Sequence, residues 1–182
     1  MDTEPILDAI RRRRTIRHYT EQDVNDDQIH TLLTAGMSAP SMFNRRPWHF
    51  VVIRDPATKA TIAEQLRLNR SVAHAPVLIG VLANVGRSPT WRLDLSGAVE
   101  NILLTATGLG LGAAWINTLD VTLSDEASIA LQEALVIPEH FQLFAFVSVG
   151  HPAEERPAHE TIPYFASTRI HYDSWDKRVI EQ

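Results

Sequence analysis

One segment limits the possible folds more than any other. From Asp94 to Leu109 the chain reads as a helix in which Ala98, Ile102, Thr105 and Leu109 recur at helical spacing, while Leu103, Leu104 and Ala106 widen the apolar surface. A helix apolar over so much of its circumference belongs inside a protein, covered on more than one side. Gly108, Gly110 and Gly112 stop it and lead into a short strand, Ala113 to Ile116.

The remaining segments supply the cover. Thr3, Glu4 and Pro5 read as a helix start. Ile6, Leu7 and Ile10 then form one apolar face, and Arg11 to Arg14 fall on the last turn or just beyond it, where positive charge suits the exposed carbonyls. A second helix starts near Asn25, with Gln28 as its capping-box partner and Ile29, Leu32, Leu33 and Ala35 as its apolar face; it ends before Pro40. Phe50 to Ile53 is a short strand, and Asp55 and Pro56 open a helix running roughly to Arg67. Val77 to Leu82 reads as a buried strand, Ser124 to Leu135 as a helix capped by Ser124, and Leu143 to Val149 as a further strand. Helices and strands in this order predict an α+β fold, an α/β sandwich. The 182 residues suit one domain, 1–182, with 150–182 as an extended arm. That arm holds prolines at 152, 157 and 163 and the aromatic residues Tyr164, Phe165, Tyr172 and Trp175, so it is expected to pack on something, and a second subunit is one such surface.

Composition removes several classes of function. Asp and Glu number 22 against 17 Lys and Arg, for a net charge of −5, which argues against nucleic-acid binding. With no cysteine there is no disulfide, thiolate catalysis or Cys-based metal site, and a cytoplasmic setting is compatible. The first residues show no basic-then-apolar leader pattern, and the longest apolar stretch, Ala75 to Ala83, is far too short to span a membrane as a helix. The histidines, at 18, 30, 49, 74, 140, 151, 159 and 171, include no i, i+4 pair, so no zinc site is expected. There is no G-x-S-x-G elbow. Glu154-Glu155 and Asp125-Glu126 read as solvated surface.

Three constellations remain. In Arg13-Arg14-Thr15-Ile16-Arg17, guanidinium forks and a hydroxyl are the donors a phosphate monoester needs, and in an extended segment Arg13, Thr15 and Arg17 share one side. A solvated basic helix end has the same composition. Ala39-Pro40-Ser41-Met42-Phe43-Asn44-Arg45-Arg46-Pro47-Trp48 lies between a helix and a strand and can lay flat apolar atoms and polar backbone against a planar ring, or serve as an irregular surface connection. Trp48, beside the strand, reads as core. Gly108 to Asn117 only superficially matches a dinucleotide fingerprint: the order is helix then strand, the reverse of what that motif requires.

Taken together, these three segments resemble the nitroreductase family. Its R-R-[ST]-x-[RK] pattern matches Arg13 to Arg17, its A-P-S-x-x-N-x-Q-P-W pattern matches Ala39 to Trp48, and its G-L-G-x-x-W-I-G pattern matches Gly110 to Asn117, in the same order, before a tail opening Gly150-His151-Pro152. The resemblance implies a central mixed sheet flanked by helices and a homodimer with FMN at its interface, the C-terminal arm being exchanged between subunits. It implies that Arg13, Arg14 and Thr15 hold the FMN phosphate and that Arg17 reaches the pyrimidine edge, where a fixed cation stabilises the charge of the reduced ring. Pro40, Ser41, Met42, Asn44 and Arg46 would line the isoalloxazine from the partner subunit, with the Trp115-Ile116-Asn117 backbone near flavin N5 and His159 as the tail's phosphate ligand. No acid or base side chain is obligatory, and no metal is needed.

The implied activity is hydride transfer from NADPH or NADH, through FMN, to a small-molecule acceptor such as a nitroaromatic or quinone, with ping-pong kinetics. An FMN-dependent oxidase or dehydrogenase of a dedicated metabolite, and a flavin-binding protein without turnover, are the alternatives. The chain departs from the family pattern at Arg46, where Gln is usual, at Asn117, where Gly is common, and at Thr161, where a second tail Arg is expected. The segment from Leu82 to Trp91 is short, leaving the pocket open or covered by Trp91 and Arg92.

Overall fold

A computed structural model describes residues 4–66, 70–118, 123–159 and 169–175. In chain order its elements are α1 (Glu4–Arg12), α2 (Asp26–Met37), a 3-10 turn (Met42–Asn44), β1 (Trp48–Ile53), α3 (Pro56–Gln65), α4 (Arg70–Ala73), β2 (Val77–Asn84), α5 (Trp91–Gly108), β3 (Gly112–Asn117), α6 (Asp125–Ala134) and β4 (Phe141–Gly150). The expected helices and strands are present with shifted ends, and α5 begins three residues earlier than its apolar pattern, at Trp91. The short α4 went unread because a single turn carries no periodicity. Thr3, Arg67, Thr161, Tyr164 and Phe165 lie outside the described residues.

The strands form one sheet in the order β1-β2-β4-β3, and all three ladders are antiparallel. Among the described residues the sheet is mixed only through a single parallel bridge, between Thr15 and Ala113 on the β3 edge. The central strands are covered on both faces. Val77, Ile79, Val81 and Ala83 of β2 enter one core with Leu32 of α2 and Leu95 and Ile102 of α5. Leu78 and Leu82 enter the other with Ile62 of α3, Val72 of α4 and Leu131 of α6. This is the period-two alternation of a strand buried on both sides.

Local chemistry sets the helix ends. Asn25 accepts from Gln28 N at 2.8 Å while Gln28 Oε1 accepts from Asn25 N at 3.1 Å, a complete capping box. Asp55 caps α3 and Ser124 caps α6 through N3 amides. Helix α1 is amphipathic as read, but Ile6, Leu7 and Ile10 stay exposed, at 61%, 42% and 49%. No helix among the described residues is long and apolar enough to cross a membrane.

After α1 the chain crosses the start of β3 as an extended strap. Ile16 N donates to Ala113 O at 3.0 Å, and the Ile16 side chain lies over Gly112. A Cβ at position 112 would meet Ile16 Cγ2 at 2.6 Å and Cβ at 2.7 Å, so only glycine admits the strap this close. Gly112→Ala is therefore expected to destabilise the protein by about 1–3 kcal/mol through overpacking. Urea denaturation measures this as a lower midpoint at unchanged slope; an unchanged midpoint would show that Ile16 has room to move.

Candidate functional site

The basic run sits on this strap. Arg12 closes α1 with an ion pair to Asp8 at 3.1 Å. Arg13 turns toward α5, its Nε 3.5 Å from Glu100 Oε1, and Arg14 donates from Nη1 to the carbonyl of Pro157. Thr15 bridges Ala113 and Ile16 is buried, so the strap is fastened to the β3 edge. The other side of the strap is fastened to the tail: Thr20 N donates to His151 O, Ala153 N to His18 O, and His159 N to Arg11 O, at 2.8–2.9 Å.

Glu154 completes that fastening. Its Oε1 accepts from Arg17 N at 2.9 Å and His18 N at 3.3 Å, and its Oε2 accepts from Arg156 Nε at 3.0 Å and Nη2 at 2.7 Å. The Arg17 amide above all, with the Arg156 guanidinium and the His18 amide, holds the Glu154 carboxyl down to about 2. The surface reading of Glu154 from sequence is thus corrected: the side chain is only 16% exposed. Tyr19, beside it, is turned inward with its hydroxyl 2.7 Å from Ile16 O and 2.8 Å from Ser148 Oγ, and burial pushes its pKa upward.

Between strap, tail and the end of α5 opens a cleft of ≈ 390 Å³. It brings together Arg12, Arg14 and Arg156, with Ile16, Thr107 and Gly110 among its other lining residues. Arg13 lies outside that lining, against Glu100, and the Arg17 side chain is exposed. Arg13 and Arg14 are therefore held by partners on different elements.

The second constellation forms a rigid loop. Asp94, in the first turn of α5, is buried; its carboxylate accepts from Met42 N at 3.1 Å, Ser88 Oγ at 2.6 Å and Thr90 Oγ1 at 3.3 Å. Ser41 Oγ accepts from Arg46 N at 3.0 Å, and Asn44 Oδ1 from Arg46 Nε at 2.7 Å. Phe43, Asn44 and Arg46 have φ of 49°, 56° and 47°, a left-handed backbone that non-glycine residues adopt only when their surroundings enforce it. The loop is rigid yet presents Pro40, Met42, Phe43, Asn44 and Arg46 to solvent, while Trp48 joins the core as read. Sequence reading missed Asp94, whose hydrogen bond to Met42 spans 52 positions.

In the third constellation, Trp115 packs on Phe144 at 5.6 Å and Ile116 is buried in the second core, so both side chains are taken up by packing. Asn117, at the end of β3, is exposed. Trp91 is also buried, 6.2 Å from Phe144, and exposed Arg92 lies over its outer face. No metal-binding cluster occurs among the described residues.

These parts are spread along α5. Asp94 anchors the loop at the helix start, while Thr107 lines the cleft near its end, about 20 Å away at 1.5 Å per residue.

The sequence pattern of the Nitroreductase family matches residues 10–68 and 63–151, and the chain belongs to that family. It is 38% identical to a protein of Archaeoglobus fulgidus provisionally named NADH dehydrogenase/NAD(P)H nitroreductase, over 94% of this chain and 99% of that one. Its fold is similar to an FMN-dependent nitroreductase of Clostridium difficile, with TM-score 0.86 and 26% identity over 92% of this chain and 99% of the other. It is also similar to a provisionally assigned nitroreductase of Desulfovibrio desulfuricans in complex with FMN, with TM-score 0.75 and 30% identity over 88% and 95% of the two chains.

The Glu154 linkage has a defined pH signature. Because the folded-state pKa is lowered from 4.5 to about 2, its stabilisation is complete above pH 4.5 and is lost as pH falls through 2. Glu154→Gln is expected to lower stability at pH 7 by about 1.5–3 kcal/mol, the worth of hydrogen bonds to a charged group. The gap to the parent protein should shrink below pH 4.5. Denaturant melts at pH 7, 4 and 3 test this; a pH-independent gap would show that the carboxylate charge contributes nothing.

Proposed function

We propose that this chain is an FMN-dependent oxidoreductase that takes hydride from NADPH or NADH and reduces nitroaromatic, quinone or similar acceptors. It works as a homodimer with FMN at the interface, in the cytoplasm, each chain forming one domain, 1–182, with 150–182 as its arm. The observation that carries this reading is the fastening of the basic strap on both sides. A solvated helix end would not be bridged to Ala113 and clamped by Glu154; a cation set held for a ligand would be.

The residues suit FMN. A phosphate monoester needs convergent charged donors; Arg14 lines the cleft with Arg12 and Arg156, the Thr15 hydroxyl follows on the strap, His159 is tied nearby through Arg11 O, and Arg13 would join them by exchanging Glu100 for the phosphate. A planar ring needs a flat, preorganised wall, and the loop presents Pro40, Ser41, Met42, Asn44 and Arg46 from a backbone that Asp94 locks in place. Loop and cleft lie about 20 Å apart along α5. We therefore assign the loop that completes each site to the second copy, and the uncovered Ile6, Leu7 and Ile10 of α1 to the contact between copies.

When bound, FMN supplies the two-electron chemistry, accepting hydride from a nicotinamide and delivering reducing equivalents to the acceptor. The chain's own residues bind, orient and set the field. Arg17 would supply a permanent charge to the flavin ring, and the backbone of Trp115, Ile116 and Asn117 would form part of the wall that holds it. One open face serves donor and acceptor in turn, so ping-pong kinetics are expected.

The visible spectrum of the purified protein, recorded anaerobically before and after NADPH or NADH, tests the reading. A flavin spectrum that bleaches supports the reductase. One that persists favours the oxidase of a dedicated metabolite or the binder without turnover, and absence of flavin after FMN is added and excess removed overturns the assignment. Arg13→Ala should weaken FMN retention by about 1.5–3 kcal/mol, one charge-assisted contact; equal retention would count against Arg13 as a phosphate ligand. Arg17→Ala should lower the flavin potential more than it weakens binding, and an unmoved potential would place Arg17 elsewhere.

A further inference from the structure

Four arginines cluster where the flavin-wall loop meets the start of α5. Arg45 Nη1 donates to Arg87 O at 3.3 Å, and Arg87 Nε donates back to Arg45 O at 3.1 Å, so the two segments clasp each other through guanidinium–carbonyl contacts. Arg46 follows in the same loop, and Arg92 is the second residue of α5, just beyond Ser88 and Thr90, which share Asp94 with Met42. All four side chains are exposed, and among the described residues none makes an ion pair.

Arg11, Arg12, Arg13, Arg54 and Arg156 do pair with carboxylates, and acidic residues outnumber basic ones 22 to 17 in the whole chain, so carboxylates that could neutralise these four arginines exist but are placed elsewhere. The carboxylate that does touch this loop, Asp94, is buried and occupied by three donors. A purely structural clasp would use guanidinium donors without needing four uncompensated charges. Each guanidinium has five N–H donors, and Arg45, Arg46 and Arg87 each use one in these contacts. The positive field extends further: burial, and then Arg87 and His140, lower the pKa of the adjoining His49. Beside the charges stands Phe43, 80% exposed, with the Arg45 guanidinium 5.7 Å from its ring centre.

We propose that Arg45, Arg46, Arg87 and Arg92 form an anion-selecting rim, so that the site takes substrates bearing a carboxylate or phosphate in preference to neutral molecules of the same shape. This rests on the proposed function in placing the rim beside the flavin face. Guanidinium forks match carboxylate and phosphate oxygens, and Phe43 adds an aromatic surface for a flat ring. The anionic group belongs either to the acceptor or to the extra phosphate that distinguishes NADPH from NADH.

Calorimetric titration of the FMN-supplemented protein tests this without turnover, so it is read even if nicotinamide fails to reduce the flavin. The ligand pairs are 4-nitrobenzoate against 4-nitrobenzamide, and NADP⁺ against NAD⁺. At low salt the anionic member of at least one pair should bind about tenfold more tightly or better, and this ratio should fall toward one in Arg87→Gln and Arg92→Gln. The Arg92 guanidinium rests on the Trp91 ring and makes no hydrogen bond among the described residues, so a loss there cannot come from an opened clasp; Arg87→Lys should restore part of the ratio by restoring charge. A loss confined to the nitrobenzoate pair assigns the rim to the acceptor, and one confined to the nucleotide pair assigns it to the donor's phosphate. Equal binding within both pairs, no binding of any of them, or a ratio that survives both Gln substitutions overturns the proposal.

Discussion

The central pair of strands can exist only with both faces covered. Strand β2 sends alternate residues into two separate cores, so a helical layer is required on each side, and the sheet without either layer would expose a row of Val, Leu and Ile. The two layers differ in kind. Helix α5 is long and buried on much of its circumference, whereas α3, α4 and α6 are short and close the opposite face. Several of the parts proposed for binding hang on the α5 side: the loop through Asp94, Arg13 through Glu100, and the cleft through Thr107. The least yielding helix thus carries the parts that must hold their geometry.

The binding parts are themselves not regular structure. A strap, a loop and a tail are irregular segments, and each is immobilised by a few polar contacts to something rigid. Asp94 and Glu154 play matching roles at two places. Each is a carboxylate largely withdrawn from solvent that collects backbone amides from a segment distant in sequence. A carboxylate can accept several hydrogen bonds at once, so one side chain fixes two segments where a neutral residue would fix one. The strained backbone at Phe43, Asn44 and Arg46 is tolerable only because the loop is over-determined in this way.

Much of this was legible in the sequence, and what was not has a common cause. The capping box at Asn25, the Ser124 cap, the apolar extent of α5 and the core position of Trp48 are local signals, set by residues a few positions apart. The three motifs were legible too, as patterns whose order agrees with the family. Glu154 and Asp94 were not, because their partners lie 137 and 52 positions away and nothing in their neighbourhood separates them from ordinary surface acids. The Arg45–Arg87 clasp escaped for the same reason, across 42 positions. The antiparallel character of the ladders also depends on how distant strands pair, which periodicity does not encode.

The strap has a consequence for how the molecule is made. Its contacts join Thr15 to Ala113, Arg17 to Glu154 and Arg11 to His159. Synthesis proceeds from the N-terminus, so the basic run emerges early and waits for nearly the whole chain before its fastenings exist. Among the described residues, all four strands and both cores are complete by Gly150, before Glu154 and His159 have been added. A chain cut short just after the sheet could therefore bury its core and still lack the clamp on its cation set. The strap's fastenings to the tail become available only after the sheet is complete, so possession of a folded core is not possession of a finished site.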